Sequence, residues 1–240
     1  MSWWLTRSLA EVPAGEAWLG PCERAALARL VIEKRRADWR LGRFAAKAAI
    51  GAWLGVEVGR VEVVASPGGA PLARIDGARA EFELSLSHRA GRALAVLAAS
   101  GRPVGCDIEL IEPRSAAFIE LWLAPAEQAL VKNADRAQRP WLANVIWSAK
   151  EAAAKARGEG LRLDVRHGVV TLGDLAGDGN GDDWRRLRVD WGSECDDGWF
   201  LREPGWVMTV VGGDPGAPPK GLSFVEGGSH CRLRSSATQA

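Results

Sequence analysis

The sequence predicts an α+β protein made of two similar halves, and three observations support that prediction. Its 240 residues are 47% hydrophobic and 25% charged, a globular composition that suffices for one large core or two smaller ones. Helical patterns precede strand patterns in the N-terminal part, and the same order returns in the C-terminal part. The segment 43–49 also resembles the segment 147–153, although alanine-rich helices can resemble one another by chance.

Each element is predicted from its residue spacing. Helical spacing of alanine, leucine and arginine predicts helices over 18–30, 36–54, 116–134 and 141–157. Alternating or β-branched residues predict strands over 56–65, 82–86, 93–99, 104–111, 169–172, 185–191 and 206–211. The turn residues 100–103 indicate that the strands on either side form a hairpin. We therefore predict an N-terminal half over 1–102, a C-terminal half over 103–211, and a disordered Gly-, Pro- and Ser-containing tail over 212–240.

Composition and motifs exclude several classes of protein. The formal charge at pH 7 is +1, and the four cysteines and three histidines lack the spacing of a disulfide framework or a zinc site. No apolar run approaches the ~20 residues of a membrane helix, and the N-terminus lacks a signal-peptide pattern, so we expect a cytoplasmic protein. The motifs GxxxxGKS/T, GxGxxG, GxSxG and HExxH are absent.

Two acidic residues stand out on one predicted strand. In the segment 104–110, apolar residues alternate with Gly105, Asp107 and Glu109. Because side chains alternate between the two faces of a strand, Asp107 and Glu109 point the same way. Such a pair is commonly a solvated strand face, but it can also hold a metal ion.

A predicted helix offers a third carboxylate. Trp147, Glu151 and Lys155 recur every four residues and therefore lie on one helix face. Glu151 and Lys155 could be an ordinary surface pair, which contributes about 0.3–0.5 kcal/mol. Magnesium, however, is commonly held by one or two carboxylates together with substrate phosphates. The strand and the helix could thus converge on one cation, with Lys155 neutralising a phosphate oxygen.

Further residues suit phosphate binding. Ser87 and His88 end a predicted strand with a hydroxyl and an imidazole, although a histidine that only satisfies a core group is equally consistent. The segment 24–47 carries eight basic residues and few acidic ones. This segment could anchor phosphates, form a solvated face or bind nucleic acid, but few aromatic residues lie among the cations and the overall charge is near zero.

Taken together, the segments 104–109 and 147–155, preceded by Ser87 and His88, resemble the Sfp-type 4′-phosphopantetheinyl transferases over roughly residues 20–211. The resemblance implies a pseudo-twofold α+β fold of two similar halves, with coenzyme A and Mg2+ bound in the cleft between them. It implies transfer of phosphopantetheine from coenzyme A to a serine of an apo acyl or peptidyl carrier protein, with release of adenosine 3′,5′-bisphosphate.

The resemblance also assigns roles to residues. It implies that Mg2+ is held by Asp107, Glu109 and Glu151, that Lys155 contacts the transferred phosphate, and that coenzyme A phosphates are bound by Ser87, His88, Arg36 and Arg43. The chain has Gly69-Ala70-Pro71 where many members have Gly-Lys-Pro, a departure that Arg40, Arg43 or Arg74 could compensate.

Several alternatives stay open at this point. The base for the carrier serine could be Glu151, a metal-bound water, or Lys155 acting through Glu151, and we favour Glu151. The chain could instead be a degenerate protein that binds coenzyme A or a carrier protein without transferase activity. Residues 111–125 are expected to meet the partner, where Arg114 could steer an acidic carrier or simply be solvated. We expect a monomer, because an internal duplication would already supply two halves.

Overall fold

The computed structural model describes residues 1–159, 163–173, 183–224 and 232–233. The helices are α1 (Pro21–Ala28), α2 (Glu33–Leu54), α3 (Ala116–Trp122), α4 (Pro125–Asn133) and α5 (Arg139–Ala156). The strands are β1 (Ser2–Ser8), β2 (Val61–Ala65), β3 (Pro71–Ile75), β4 (Ala78–Arg79), β5 (Phe82–Arg89), β6 (Arg92–Ala99), β7 (Val104–Leu110), β8 (Val169–Leu172), β9 (Arg185–Asp190), β10 (Cys195–Glu203), β11 (Trp206–Gly212), β12 (Lys220–Ser223) and β13 (Arg232–Leu233). None of the helices in these ranges is both long and apolar enough to cross a membrane.

The strands form two five-stranded sheets and one small sheet. The first sheet has the order β13-β12-β1-β6-β5, the second β7-β11-β10-β9-β8, and the small one β2-β3-β4. Strands β1 and β12 pair in parallel, and the other pairings in the described ranges are antiparallel. This mixture of helices and mainly antiparallel sheets confirms the predicted α+β class.

The two larger sheets pack face to face, with one long helix on each outer side. Along β6, Leu94 and Val96 enter the core shared with Cys106 and Ile108 of β7, whereas Ala95 faces the core beneath α2. Helix α5 covers the outer face of the second sheet in the same manner. Both faces of β6 are therefore buried, which explains its nearly continuous run of apolar residues.

The predicted hairpin between 93–99 and 104–111 is wrong. Strand β6 pairs with β1 and β5, whereas β7 pairs with β11 of the other sheet. Residues 100–103 therefore carry the chain from one sheet to the other. A turn between two apolar runs is compatible with either arrangement, and β6 has both of its edges occupied by other strands.

The predicted helix over 116–134 is interrupted. Helix α3 ends at Trp122 and α4 begins at Pro125, with Ala124 in an extended conformation. The ring of a proline disfavours helical geometry at the residue before it, so Pro125 starts a new helix and cannot continue the old one.

The tail prediction is wrong for the residues that the structure describes after 212. Strand β12 pairs in parallel with β1, and Leu222 is only 5% exposed in the core beneath α2. Strand β12 thus occupies the edge of β1 that β6 leaves open. The remainder of the predicted tail, 225–231 and 234–240, lies outside the described residues.

A buried ion pair joins α2 to its neighbouring elements. The Lys47 ammonium lies 2.7 Å from Glu23 Oε2 and donates to the Trp18 carbonyl at 2.6 Å. Glu23 Oε1 accepts from the Val63 amide at 2.9 Å. The pair therefore joins α2, α1 and β2 at one point, and both side chains are fully buried.

A second buried ion pair makes equivalent contacts on α5. Lys150 lies 2.7 Å from Glu127 Oε2 and donates to the Trp122 carbonyl at 3.0 Å. Glu127 Oε1 accepts from the Val170 amide at 2.7 Å. Lys150 thus corresponds to Lys47, which shifts by one residue the match between 43–49 and 147–153 that the sequence suggested.

Removal of one partner of such a pair should be strongly destabilising. We expect Lys47→Met to lower the free energy of unfolding by about 3–5 kcal/mol, because it leaves the Glu23 carboxylate buried without a counter-charge. Urea denaturation measures this loss. The double variant Glu23→Gln/Lys47→Met should recover part of it, and a loss below about 1 kcal/mol for the single variant would contradict the role assigned to the pair.

Candidate functional site

Helix α5 lies directly against strand β7 at Gly105. A Cβ atom at this position would lie 1.8 Å from the Ala152 carbonyl oxygen and 2.5 Å from the Ala156 nitrogen. Only glycine permits so close an approach of the two backbones. This contact brings the helix face that carries Glu151 and Lys155 onto the strand face that carries Asp107.

Asp107 and Lys155 form the centre of the site. The Lys155 ammonium donates to Asp107 Oδ1 at 2.8 Å and to the Cys106 carbonyl at 2.9 Å. The Ser87 hydroxyl donates to the same Asp107 oxygen at 2.7 Å. Since Ser87 lies on β5 and Asp107 on β7, residues from both sheets meet at this point.

The second oxygen of Asp107 has no partner among the described residues. Asp107 is 5% exposed, and its Oδ2 atom is buried without a hydrogen-bond donor in the described chain. Burial of an unpaired carboxylate oxygen is costly. Such an atom indicates that a cation or donor from outside the chain completes the site.

Glu109 is held by three side chains. Its Oε2 accepts from Arg114 at 2.9 Å and lies 3.5 Å from Arg89 Nε, while its Oε1 accepts from Trp147 Nε1 at 3.1 Å. The alternative that Arg114 is simply solvated is therefore wrong, because its side chain is 13% exposed and its guanidinium pairs with Glu109, while its role in steering a partner stays a prediction. Sequence reasoning missed Arg89, which follows His88 directly.

Glu151 is the third acid of the site. It forms no hydrogen bond or ion pair with other residues in the described ranges, and burial together with the charges of Asp107 and Glu109 raises the pKa of its carboxyl. The pKa of Glu109 is raised by burial and Asp107, against the opposing effect of Arg114 and Arg89. The three acids therefore share one region of negative potential.

Lys155 supplies the compensating positive charge. Burial acts to lower the pKa of its ammonium, but the charge of Asp107, the hydrogen bond to it and the charge of Glu151 outweigh burial and raise that pKa. Lys155 is therefore protonated at neutral pH. Two of its three N–H groups are engaged by Asp107 and Cys106, and the third remains for a ligand.

The residues fit a magnesium ion in their chemistry. All three acids offer the oxygen ligands that magnesium prefers, and Asp107 Oδ2 is unpartnered. Within the described ranges, no three His, Cys, Asp or Glu side chains are placed to coordinate an ion by themselves. Magnesium commonly keeps several waters and binds through one or two carboxylates plus phosphate, so Asp107 with one of the two glutamates would suffice.

His88 and Arg43 lie near the centre on the side of α2. His88 is exposed, and its ring approaches Gly42, where an added Cβ would lie 3.8 Å from the ring. The Arg43 guanidinium lies 4.8 Å from the centre of the Trp39 ring, and its Nε is buried without a partner among the described residues. Desolvation lowers the pKa of Arg43. Arg43 is therefore a partly desolvated cation that can accept an anionic ligand.

Three other cations of the segment 24–47 make contacts within the fold. Arg36 donates to the Leu27 carbonyl at 2.8 Å and to the Leu30 carbonyl at 3.2 Å. Arg40 donates to two carbonyls of the N-terminal segment, and Lys47 belongs to the buried pair. Arg36 and Arg40 also line a cavity of about 300 Å³. The assignment of Arg36 to coenzyme A stays a prediction.

Comparison with known proteins gives consistent matches. The 4′-phosphopantetheinyl transferase superfamily profile matches residues 103–180. The chain is 28% identical to the 4′-phosphopantetheinyl transferase HetI of Nostoc sp. (strain PCC 7120) over 147 residues, which cover 60% of this chain and 62% of HetI. It is 42% identical to the holo-(acyl-carrier-protein) synthase of Afipia carboxidovorans over 69 residues, which cover 27% of this chain and 50% of that relative.

A solved structure is also similar over part of the chain. The Helicobacter pylori holo-(acyl-carrier-protein) synthase, determined in complex with coenzyme A, matches with a TM-score of 0.34 and 23% identity, covering 42% of this chain and 100% of that one. The chain spans less than two thirds of the length of the two curated relatives. The profile match over 103–180 includes both segments that carry Asp107, Glu109, Glu151 and Lys155. The chain is thus similar to the 4′-phosphopantetheinyl transferase superfamily over residues 103–180 and to HetI over 147 residues.

Proposed function

We propose that this protein transfers the 4′-phosphopantetheine group from coenzyme A to a serine of an apo acyl or peptidyl carrier protein. The observation that carries the proposal is that the protonated Lys155 donates to Asp107 Oδ1, while the buried Oδ2 of the same carboxylate has no partner among the described residues. A site of this kind offers a place for a cation and a separate positive charge for a phosphate. Phosphoryl-type transfer relies chiefly on such positioning and charge neutralisation.

Coenzyme A would bind through its phosphates. Ser87 and His88 follow one another at the end of β5 beside Asp107, and Arg43, whose buried Nε has no partner among the described residues, offers its charge to an anion. Ala70 is exposed in the turn between β2 and β3 and offers no charge to the 3′-phosphate. We therefore propose that His88, Arg43 and Lys155 contact the phosphates of coenzyme A. The Ser87 hydroxyl would help to orient these phosphates.

A magnesium ion would be held by Asp107 and Glu109, with phosphate oxygens and water as its further ligands, so that Glu151 stays free to act as the base. When bound, it would neutralise charge on the diphosphate oxygens. Lys155 remains protonated and directs its free N–H at an oxygen of the transferred phosphate, which stabilises the negative charge that develops there.

Glu151 is the best candidate for the base. Its raised pKa makes it a stronger proton acceptor than an ordinary glutamate, and no hydrogen bond within the described chain occupies its oxygens. Lys155 is a poor base because its pKa is raised and its ammonium holds a proton firmly. In the proposed step, the serine oxygen bonds to the phosphorus that carries pantetheine and its proton passes to Glu151. The bond from that phosphorus to adenosine 3′,5′-bisphosphate breaks.

We also propose that the two halves are related by a pseudo-twofold operation, with the site in the cleft between them. The repeated contacts of Glu23 with Lys47 and of Glu127 with Lys150 support this relation. The hydrogen bond from Ser87 on the first sheet to Asp107 on the second supports the position of the cleft.

Intact-mass analysis tests the proposed function. An apo carrier protein is incubated with this protein, coenzyme A and magnesium, and a parallel reaction contains a chelator. We expect a gain of one phosphopantetheinyl group that depends on the metal. Absence of any gain across acyl and peptidyl carriers, while coenzyme A still binds, would favour a binding protein without transferase activity.

A further inference from the structure

Behind Glu109 lies a chain of polar contacts that the proposed reaction does not itself use. We infer that Asn144 and Arg114 are positioning residues that hold the Glu109 carboxylate in the orientation that a divalent cation requires. The inference rests on the proposed function, since it assumes that the site takes such a cation.

Asn144 is the fixed end of this chain of contacts. It is fully buried on α5, and its amide nitrogen donates to the Glu112 carbonyl and to the Pro140 carbonyl, each at 2.7 Å. Its Oδ1 accepts from Arg114 Nε at 2.7 Å. The amide group of Asn144 is therefore fully oriented, and it presents its oxygen to Arg114 in one direction only.

Arg114 connects the oriented Asn144 amide to Glu109. Its side chain is 13% exposed, its guanidinium lies 4.8 Å from the centre of the Phe118 ring, and its Nη2 donates to Glu109 Oε2 at 2.9 Å. The planar guanidinium bridges two acceptors with two different nitrogens. A lysine has a single ammonium on a flexible stem and cannot reproduce that bridge.

Trp147 holds the other oxygen of Glu109 through its indole N–H. Arg114 donates to Oε2, which also lies 3.5 Å from Arg89 Nε, so the carboxylate plane is fixed while Oε1 keeps a further lone pair for a cation. Partners of this kind, which orient a ligand without touching the ion, commonly change metal affinity 10–100-fold when they are removed. These contacts therefore indicate that Arg114 orients Glu109 as a ligand of the cation.

The test measures manganese binding to the whole protein in the presence of coenzyme A, by electron paramagnetic resonance of free Mn2+. We expect Arg114→Lys to weaken manganese binding about 10-fold, because the charge is kept but the bridge is lost. Asn144→Ala should weaken it in the same direction. Thermal unfolding checks that each variant is folded.

Arg157→Lys is the matched control. Arg157 is similarly enclosed, with 19% exposure, a hydrogen bond to Asp196 at 2.6 Å and the Trp191 ring 5.2 Å away. Since its partners lie apart from the three acids, its replacement should leave manganese affinity unchanged.

Kinetics separate positioning from a purely structural role. With Arg114→Lys, the metal concentration for half-maximal transfer should rise about 10-fold, while kcat at saturating metal stays within about twofold. Unchanged or tighter manganese binding in folded Arg114→Lys overturns this inference but leaves the proposed function standing. A wild-type protein that binds no manganese with coenzyme A overturns the proposed function and this inference together.

Discussion

Replacement of Gly105 by alanine should detach α5 from β7 and abolish transfer. The added methyl group would lie 1.8 Å from the Ala152 carbonyl oxygen, a backbone atom that cannot move without the helix. Overpacking typically costs 1–3 kcal/mol, and a clash between two backbones belongs at or above the upper end of that range. We therefore expect a loss of about 3 kcal/mol or more in the free energy of unfolding, measured by urea denaturation.

The loss of activity should exceed what instability alone explains. A shift of α5 separates Lys155 from Asp107, and transfer should fall more than about 100-fold even where the variant is folded. Gly59→Ala is the control, because an added Cβ there would have no atom within 4 Å. A Gly105→Ala protein as stable and as active as Gly59→Ala would show that the packing of α5 on β7 is not as described.

Replacement of Glu151 by glutamine should move stability and activity in opposite directions. Burial and the charges of Asp107 and Glu109 raise the pKa of Glu151, so its ionised form destabilises the metal-free fold. We expect Glu151→Gln to melt at a higher temperature than the wild type at pH 7 without metal. Transfer should fall about 10²–10⁴-fold, because the proposed base is lost.

The pH dependence of stability follows from the raised pKa of Glu151. The folded state holds the Glu151 proton more tightly than the unfolded state, so wild-type stability falls as pH rises from the ordinary pKa of 4.5 through the raised value. The advantage of Glu151→Gln should therefore vanish below about pH 4.5 and be fully present above the raised pKa. Differential scanning calorimetry across this range measures it, and a variant that is less stable at pH 7 would contradict the assignment.

Local periodicity accounts for the part of the site that could be predicted. The two-residue repeat placed Asp107 and Glu109 on one strand face, and in the structure they contact Lys155 and Trp147 of the same helix. The four-residue repeat placed Trp147, Glu151 and Lys155 on one helix face, as observed. These arrangements depend on residues close in sequence, which periodicity describes well.

Contacts between distant segments could not be predicted in the same way. The apolar residues of β6 and β7 are compatible with one hairpin or with two facing sheets, and only the pairing of β7 with β11 decides between them. Nothing in the sequence near Arg36 reveals that it donates to the Leu27 carbonyl of α1. The partners of Arg114 could not be predicted for the same reason. The presence of Asn144 among apolar residues of a helix nevertheless indicates that a polar partner lies nearby.

The most direct test of the central claim compares Asp107→Asn with the wild type. Asparagine keeps the shape of the side chain and an acceptor for Ser87 and Lys155 but removes the negative charge. Both proteins are mixed with apo carrier protein, coenzyme A and magnesium, and the carrier is followed by intact mass. We expect the wild type to add one phosphopantetheinyl group and the folded variant to be at least about 100-fold slower. Equal rates would show that the chemistry does not take place at this site.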